Sequence, residues 1–406
     1  MKTILVVSYH FPPEEGSCSE KNVRIVQLLL DHGFKVIVLT KPGIKAIWEN
    51  KNLKVIRTQS AGIFHRSCAA ENTCQSAGSN IKSSRLKSLL SNFILPDGTI
   101  DWVLEGKKLF KSDRSIFENI NLVLSISSPY SAHILSEYIS KKLDVPYVMS
   151  YGDPWIYEPK RKRGFIRYNI EYALEKKLIK TSAGVLVITD WNKNKYKSLY
   201  NIPDNKIRTF HIGFNRADTH DIPKTNNSSF NIIYGGSLDP VHRDPEPFIK
   251  ALRSISGINV SIYNNDSRNL PDIVKKYSVS NKVNLFPLVK ASQFLNEMYK
   301  NDALLLFGNK TPFQVPGKVF TYIATGKTII YLKNNPYPDD GTEEVLKIYG
   351  NTVILDNTEN SIIEGLNKFL ITKDKTPIIP NCESFEFHNT MMPIIDMINS
   401  VLDKQK

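Results

Sequence analysis

Two short stretches of this 406-residue chain bring cations to places built for an anion. "YGGSLDPVHRD" puts Gly236 and Ser237 at the end of an apolar run, with Arg243 six residues beyond Ser237. "VPGK" puts Lys318 directly after Pro316 and Gly317, where a turn opens onto a helix. An Arg and a Lys converging beside a helix N-terminus would neutralise a pyrophosphate through charge-assisted hydrogen bonds. Either one alone reads as a surface cation. Three further loops carry polar groups. In "SYGDPW", Asp153 can orient a sugar hydroxyl or cap a helix, and Trp155 can pack on a sugar ring or fill core. "SSPYSAH" offers Ser128, Ser131 and His133, although an N-cap explains Ser131 equally well. Ahead of the first helix, Gly16 and Ser17 bring backbone close to a ligand, or form a plain strand–helix turn.

The elements that must hold these groups follow from periodicity. "TILVVSY" is an apolar strand, "HFPPEEGSCSEKN" a polar loop, "VRIVQLLLDHG" a helix ended by Gly33, and "FKVIVLT" a second strand. Strand, helix and strand within about 40 residues make a βαβ unit, so the sheet is expected to be parallel. The pattern resumes with "NLVLSIS", a helix over 131–142, "PYVMSY", a helix over 164–181 and "GVLVIT". Residues 60–94, rich in Ser, Asn and Lys, read as a long insertion. After the polar linker 215–229 a second series begins. It runs "FNIIYGGS", a helix over 245–255, "INVSIYN", "VNLFPL", a helix over 292–300, "DALLLF", the "VPGK" turn and its helix, "TIIYL" and "NTVIL". The expected fold is α/β, with two doubly wound, Rossmann-like domains facing across a cleft and ligands at the carboxyl ends of the strands. The expected limits are 1–215, 216–388 and a last helix within 389–406 that crosses back to the first domain.

Composition narrows the class. A hydrophobic content of 41% with 23% charged residues describes a folded globular chain, not a disordered one. No run of about 18 apolar residues is present to span a membrane. The opening "MKTILVVSYHFPP" reads as a buried strand, since no small-residue cleavage site follows it. Cys18, Cys68, Cys74 and Cys382 lack metal spacing; Cys68 and Cys74 are close enough in sequence to pair, but reduced cytosolic thiols are the better reading, and no metal is expected. Much of the net charge of +13 reflects Lys-rich composition, and one segment is denser, "YEPKRKRGFIRYNIEYALEKKLIK", where Lys160, Arg161, Lys162, Arg163 and Arg167 precede aromatic residues. No recognition motif supports nucleic acid as the partner. An anionic membrane surface fits better, and an ordinary solvated helix remains the alternative.

These stretches together resemble the retaining GT-B glycosyltransferases often called family 4, along nearly the whole chain. The likeness is greatest to a branch found in bacterial surface-polysaccharide synthesis. It is carried by "YHFPPEEGS", "LPDGTIDW", "SSPYSAHIL", "DPW", "ITDWNKNKY", "YGGSLDPVHRDPEPFIKAL" and "VPGKVFTYIATGKTIIYL", in that order. The resemblance implies that the second domain binds a nucleotide-sugar and the first a lipid-linked or polysaccharide acceptor. Sugar transfer would keep the anomeric configuration, with no cofactor beyond the nucleotide-sugar itself. It implies that Arg243 and Lys318 hold the donor diphosphate, with Gly236, Ser237, Gly317 and Thr321 around the donor. Gly16, Ser17, Ser128, His133 and Asp153 would face the acceptor, and Asp153 joins Arg243 and Lys318 as a catalytic candidate. The implied place of work is the cytoplasm, at the inner face of the cell membrane. The chain departs from the pattern where Thr321 replaces a ribose-binding Glu, and where Ser150 and Gly152 replace an Asp and an Arg before "DPW". Those losses favour the competing reading, a catalytically silent GT-B protein that binds sugar nucleotide or a partner transferase. A sugar-nucleotide epimerase fits less well, because no pocket of carboxylates and His is evident.

Overall fold

The computed structural model describes residues 1–14, 16–43, 50–61, 94–158, 163–216, 229–238, 243–265, 269–337, 340–373 and 378–405. Most of the 60–94 insertion, most of the 215–229 linker, Lys160 to Lys162, Cys68 and Cys74 lie outside the described residues. The chain divides into two compact units, one of residues Met1–Ile212 with Met391–Lys406, the other of Gly213–Thr390.

The first unit is built on seven strands: β1 (Thr3–Ser8), β2 (Lys35–Thr40), β3 (Leu53–Arg57), β4 (Ile120–Ile126), β5 (Tyr147–Ser150), β6 (Gly184–Val187) and β7 (Ile207–Thr209). They pair in parallel in the order β3-β2-β1-β4-β5-β6-β7. All six residues of β1 are buried, as a central parallel strand covered on both faces requires. Among the described residues, five helices connect these strands: α1 (Ser17–Asp31), α2 (Ile100–Ser112), α3 (Ser131–Leu143), α4 (Phe165–Thr181) and α5 (Asp190–Tyr200). Helix α1 begins eight residues before Ile25, the first apolar residue of its buried stripe, and its opening turns bury polar side chains, Ser19, Lys21 and Asn22. The helix Met392–Asp403 packs on β4, β6 and β7 through Ile394, Ile395, Met397, Ile398, Val401 and Leu402.

The second unit has six strands: β8 (Phe230–Gly235), β9 (Ile258–Tyr263), β10 (Val283–Phe286), β11 (Ala303–Phe307), β12 (Thr328–Lys333) and β13 (Thr352–Asp356). Their order is β10-β9-β8-β11-β12-β13, again parallel throughout. Its helices include α6 (Glu246–Ala251), α7 (Leu270–Lys276), α8 (Ala291–Tyr299), α9 (Lys318–Ala324), α10 (Gly341–Tyr349) and α11 (Glu359–Thr372). Each unit has its own apolar core, one around Leu5, Val123, Met149 and Val185, the other around Ile232, Val260, Leu305 and Ile330. Each strand order reverses direction once, at β1/β4 and at β8/β11. A ligand crevice belongs at the carboxyl ends of such a pair.

Candidate functional site

In the second unit, the switch point is where the two expected cations meet. Strand β8 leads into Gly236 and Ser237, and β11 leads into Gly308 and Asn309. The Arg243 guanidinium donates from Nε and Nη2 to one oxygen, Asn309 Oδ1, at 3.1 and 3.0 Å. That bond ties the loop after β8 to the loop after β11. Lys318 opens the seven-residue helix α9 and turns its Nζ back to the Gly235 carbonyl at 2.8 Å, 4.7 Å from the centre of the Tyr234 ring. Gly236 is needed there twice over. Its φ of 137° lies in the left-handed half of the map, and a Cβ on it would run into Lys318 Nζ. Asn264 Nδ2 holds the Gly236 carbonyl at 2.7 Å.

Neither cation has a carboxylate partner among the described residues. Burial first, and the neighbouring Arg243 charge second, push the Lys318 ammonium down to about 7. Two like charges held together with no counter-ion among the described residues make a site suited to an anion. Ser237 is exposed, and its carbonyl accepts from Tyr234 Oη at 2.8 Å. Gly317 is exposed as the residue before α9. Thr321 stands exposed one turn further along, on the same helix as Lys318, while Phe313 is core.

The first unit gathers the other candidates at the ends of β1, β4 and β5. Gly16, with φ 121°, precedes α1 and Ser17 is its first residue; both are exposed. Ser128 follows β4 and is half-buried, and Asp153 follows β5 and is half-buried. His133 differs from the expectation of a group at a strand end. It lies on α3 wholly buried, with Nδ1 2.6 Å from Ser125 Oγ and its ring 4.8 Å from that of Tyr151. Burial, and then the charge of Lys21, push it down to about 3, so it stays neutral. Trp155 is core, stacked on Tyr130 at 5.1 Å with its Nε1 donating to Glu171. Asp153 does not stand at the N-cap position of α4 or α5, which Gly164 and Thr189 hold.

Three residues were not singled out from the sequence. Asn309 was hidden in "LLLFGNK", although its place directly after β11 is the signal. Asp97, from "LPDG", accepts from the Tyr130 and Ser131 amides at 2.7 and 3.0 Å, so it caps α3 from a distant part of the chain. Ser131 instead contacts Thr99, hydroxyl to hydroxyl at 2.5 Å. Lys21 is wholly internal, and its Nζ donates to the Ser127 carbonyl at 3.0 Å. Its signal was position: Lys21 sits four residues before Ile25 on the buried stripe of α1.

The basic segment also differs from expectation. Arg163 and Arg167 are not free surface charges. They bind the two oxygens of buried Glu171 at 2.7 Å each, and Arg167 also reaches the carbonyls of Ile94 and Pro96. The first turns of α4 expose apolar side chains, Phe165 at 84% and Ile166 at 76% accessible with Tyr168 and Ile170 beside them, while Lys176, Lys177 and Lys180 are exposed further along.

No protein-family model matches the chain, and no curated protein matches it in sequence. Solved structures match over the full length. Sucrose-phosphate synthase from Thermosynechococcus elongatus superposes with a TM-score of 0.68 at 11% identity, covering 100% of both chains. HepE of Anabaena in complex with UDP gives 0.62 at 11% identity, over 98% of this chain and all of the other. The lipopolysaccharide outer core galactosyltransferase WaaB, in its apo form, gives 0.61 at 13% identity, over 98% and 99%. The likeness is one of fold: two parallel-sheet, Rossmann-like domains, as in GT-B glycosyltransferases.

Proposed function

We propose that this protein is a retaining glycosyltransferase of bacterial surface-glycan synthesis. It takes a sugar from a nucleotide-sugar donor on the second unit and delivers it to a lipid-linked or saccharide acceptor on the first. The observation that carries the donor assignment is the Arg243–Lys318 pair at the β8/β11 switch point, two cations with no carboxylate partner among the described residues. A diphosphate there would accept charge-assisted hydrogen bonds from both, and no metal ion is called on. The structures of HepE with UDP and with UDP-glucose support this class of donor.

The transfer follows from the same groups. The acceptor oxygen forms a bond to the anomeric carbon as the bond to the donor phosphate breaks. The hydroxyl proton passes to the departing phosphate, whose growing charge Arg243 and Lys318 stabilise. Asp153 orients the acceptor hydroxyl. Since the phosphate acts as base, Thr321 in place of a carboxylate leaves the step chemically complete. Phe165 and Ile166, bare on α4, are suited to dip into a membrane surface where a lipid-linked acceptor would arrive.

Titration calorimetry with UDP tests the assignment. Arg243→Ala should raise Kd roughly ten-fold or more, because a charge-assisted bond is worth about 1.5–3 kcal/mol, while the melting temperature stays put. Parent-like UDP binding by this variant would remove the site from the second unit. The competing reading, a silent nucleotide-sugar-binding protein, gives the same calorimetry. It parts from ours in showing no slow hydrolysis of any nucleotide-sugar in a panel.

A further inference from the structure

We propose that Lys21 is the positioning residue for Asp153, clamping the loops that follow β4 and β5 from below; this rests on the transferase reading above. Three observations meet at its ammonium. The Ser127 carbonyl accepts two hydrogen bonds, from Lys21 Nζ at 3.0 Å and from the Gly152 amide at 3.3 Å. One oxygen thus fastens helix α1, the loop bearing Ser128 and the loop bearing Asp153. Gly152 needs no glycine for its backbone angles, yet a Cβ on it would overlap Lys21 Nζ. The missing side chain is the space the ammonium fills. Burial pushes the Lys21 ammonium down, and the charges of Cys18 and then of Asp153, the residue after Gly152, push it back up.

The burial of this lysine asks for such a role. An ammonium has three hydrogens to place, and taking one out of water is costly unless charge and hydrogen bonds compensate. A methionine would fill the same stripe of α1 at no electrostatic cost. Lys21 is too deeply buried to be the group a substrate first meets. It acts through Asp153, fixing where that carboxylate stands at the half-buried rim.

Two measurements on the full chain test this. The first is a melting-temperature cycle of Lys21→Met, Gly152→Ala and the double variant. If the ammonium occupies the space at residue 152, the two changes disturb one feature, and the effect of the double falls well short of the sum. Additive effects would overturn the proposal. The second is steady-state hydrolysis of UDP-glucose, with water as the acceptor. Lys21→Met should lower kcat roughly ten-fold or more with KM unchanged, as expected when a reacting group is misplaced. Asp153→Asn should do the same, and the double variant should lose no more than either single one. A change confined to KM, or losses that multiply, would overturn it. A wild-type protein that hydrolyses no nucleotide-sugar would instead sink the transferase reading, and the melting cycle would still decide where the ammonium sits.

Discussion

Lys318 should take up a proton when the donor binds. In the ligand-free protein it is held down to about 7 by burial and by Arg243, with the Gly235 carbonyl and the Tyr234 ring as its neighbours. The perturbation is the arrival of a diphosphate, which would favour the charged form and return the lysine toward its ordinary value of about 10.4. Near pH 8 a group of that kind is only about one-tenth protonated when free, so binding should draw in about 0.9 proton per UDP, falling to about 0.5 near pH 7. Affinity should weaken toward ten-fold per pH unit above neutrality, by the same linkage. The measurement is calorimetry of UDP binding in HEPES and in Tris at matched salt. It should be made above about pH 7.5, clear of the secondary phosphate ionisation near about 6. The observed enthalpies should differ by the uptake times the difference in buffer ionisation enthalpy. Lys318→Arg, always charged, should abolish the uptake and flatten the pH profile. Equal enthalpies in the two buffers, or uptake that survives in Lys318→Arg, would refute the reasoning.

Three further outcomes are expected. Burial pushes Glu175 up to about 7 against the bonds it accepts from Tyr196 and Tyr200, so the fold prefers it protonated, and its contribution to stability is greatest below about pH 4.5 and lost as pH rises to about 7. Glu175→Gln should therefore raise the melting temperature more near pH 8 than near pH 5, by up to roughly 3 kcal/mol of stability, and an equal gain at both would count against it. Thr321→Glu, exposed on α9, should tighten UDP by roughly 1–2 kcal/mol through the ribose while leaving pyrophosphate affinity unchanged; equal changes for both ligands would place Thr321 away from the ribose. Replacing Phe165 and Ile166 by Ser should cut co-sedimentation with anionic vesicles at least ten-fold, since each buried side chain is worth about 1.5–3 kcal/mol, and undiminished binding would put the contact elsewhere.

The elements most legible in the sequence were the fully buried ones. β1 and β11 carry unbroken apolar runs, "ILVV" and "ALLLF", and every strand of the second sheet was readable. The missed strands, β3 and β7, are edges: "LKVIR" mixes charge into its alternation, and "IRT" is three residues long. Helices α2, α5, α7, α10 and α11 were not delineated. Lys318 and Arg243 were legible because Gly, Pro and a cation cluster locally in the chain. Lys21, Asn309 and Asp97 were not, because each works through a partner far away in sequence, such as Asp97 on the amides of 130 and 131. Arg163 and Arg167 misled for the same reason. A run of basic residues looks like a surface until buried Glu171 is seen between them.

The helix Met392–Asp403 has a consequence for biosynthesis. It covers β4, β6 and β7, yet it leaves the ribosome only after the whole of the second unit, Gly213–Thr390. At about 5–20 residues per second, that interval lasts on the order of ten to forty seconds. Throughout it, the nascent first sheet stands with an apolar face unroofed, while the second unit already has every strand it needs. The second half of the polypeptide can therefore reach its native state before the first half does, reversing the usual vectorial order. A nonsense codon near the end would remove few residues, yet it would strand that face permanently.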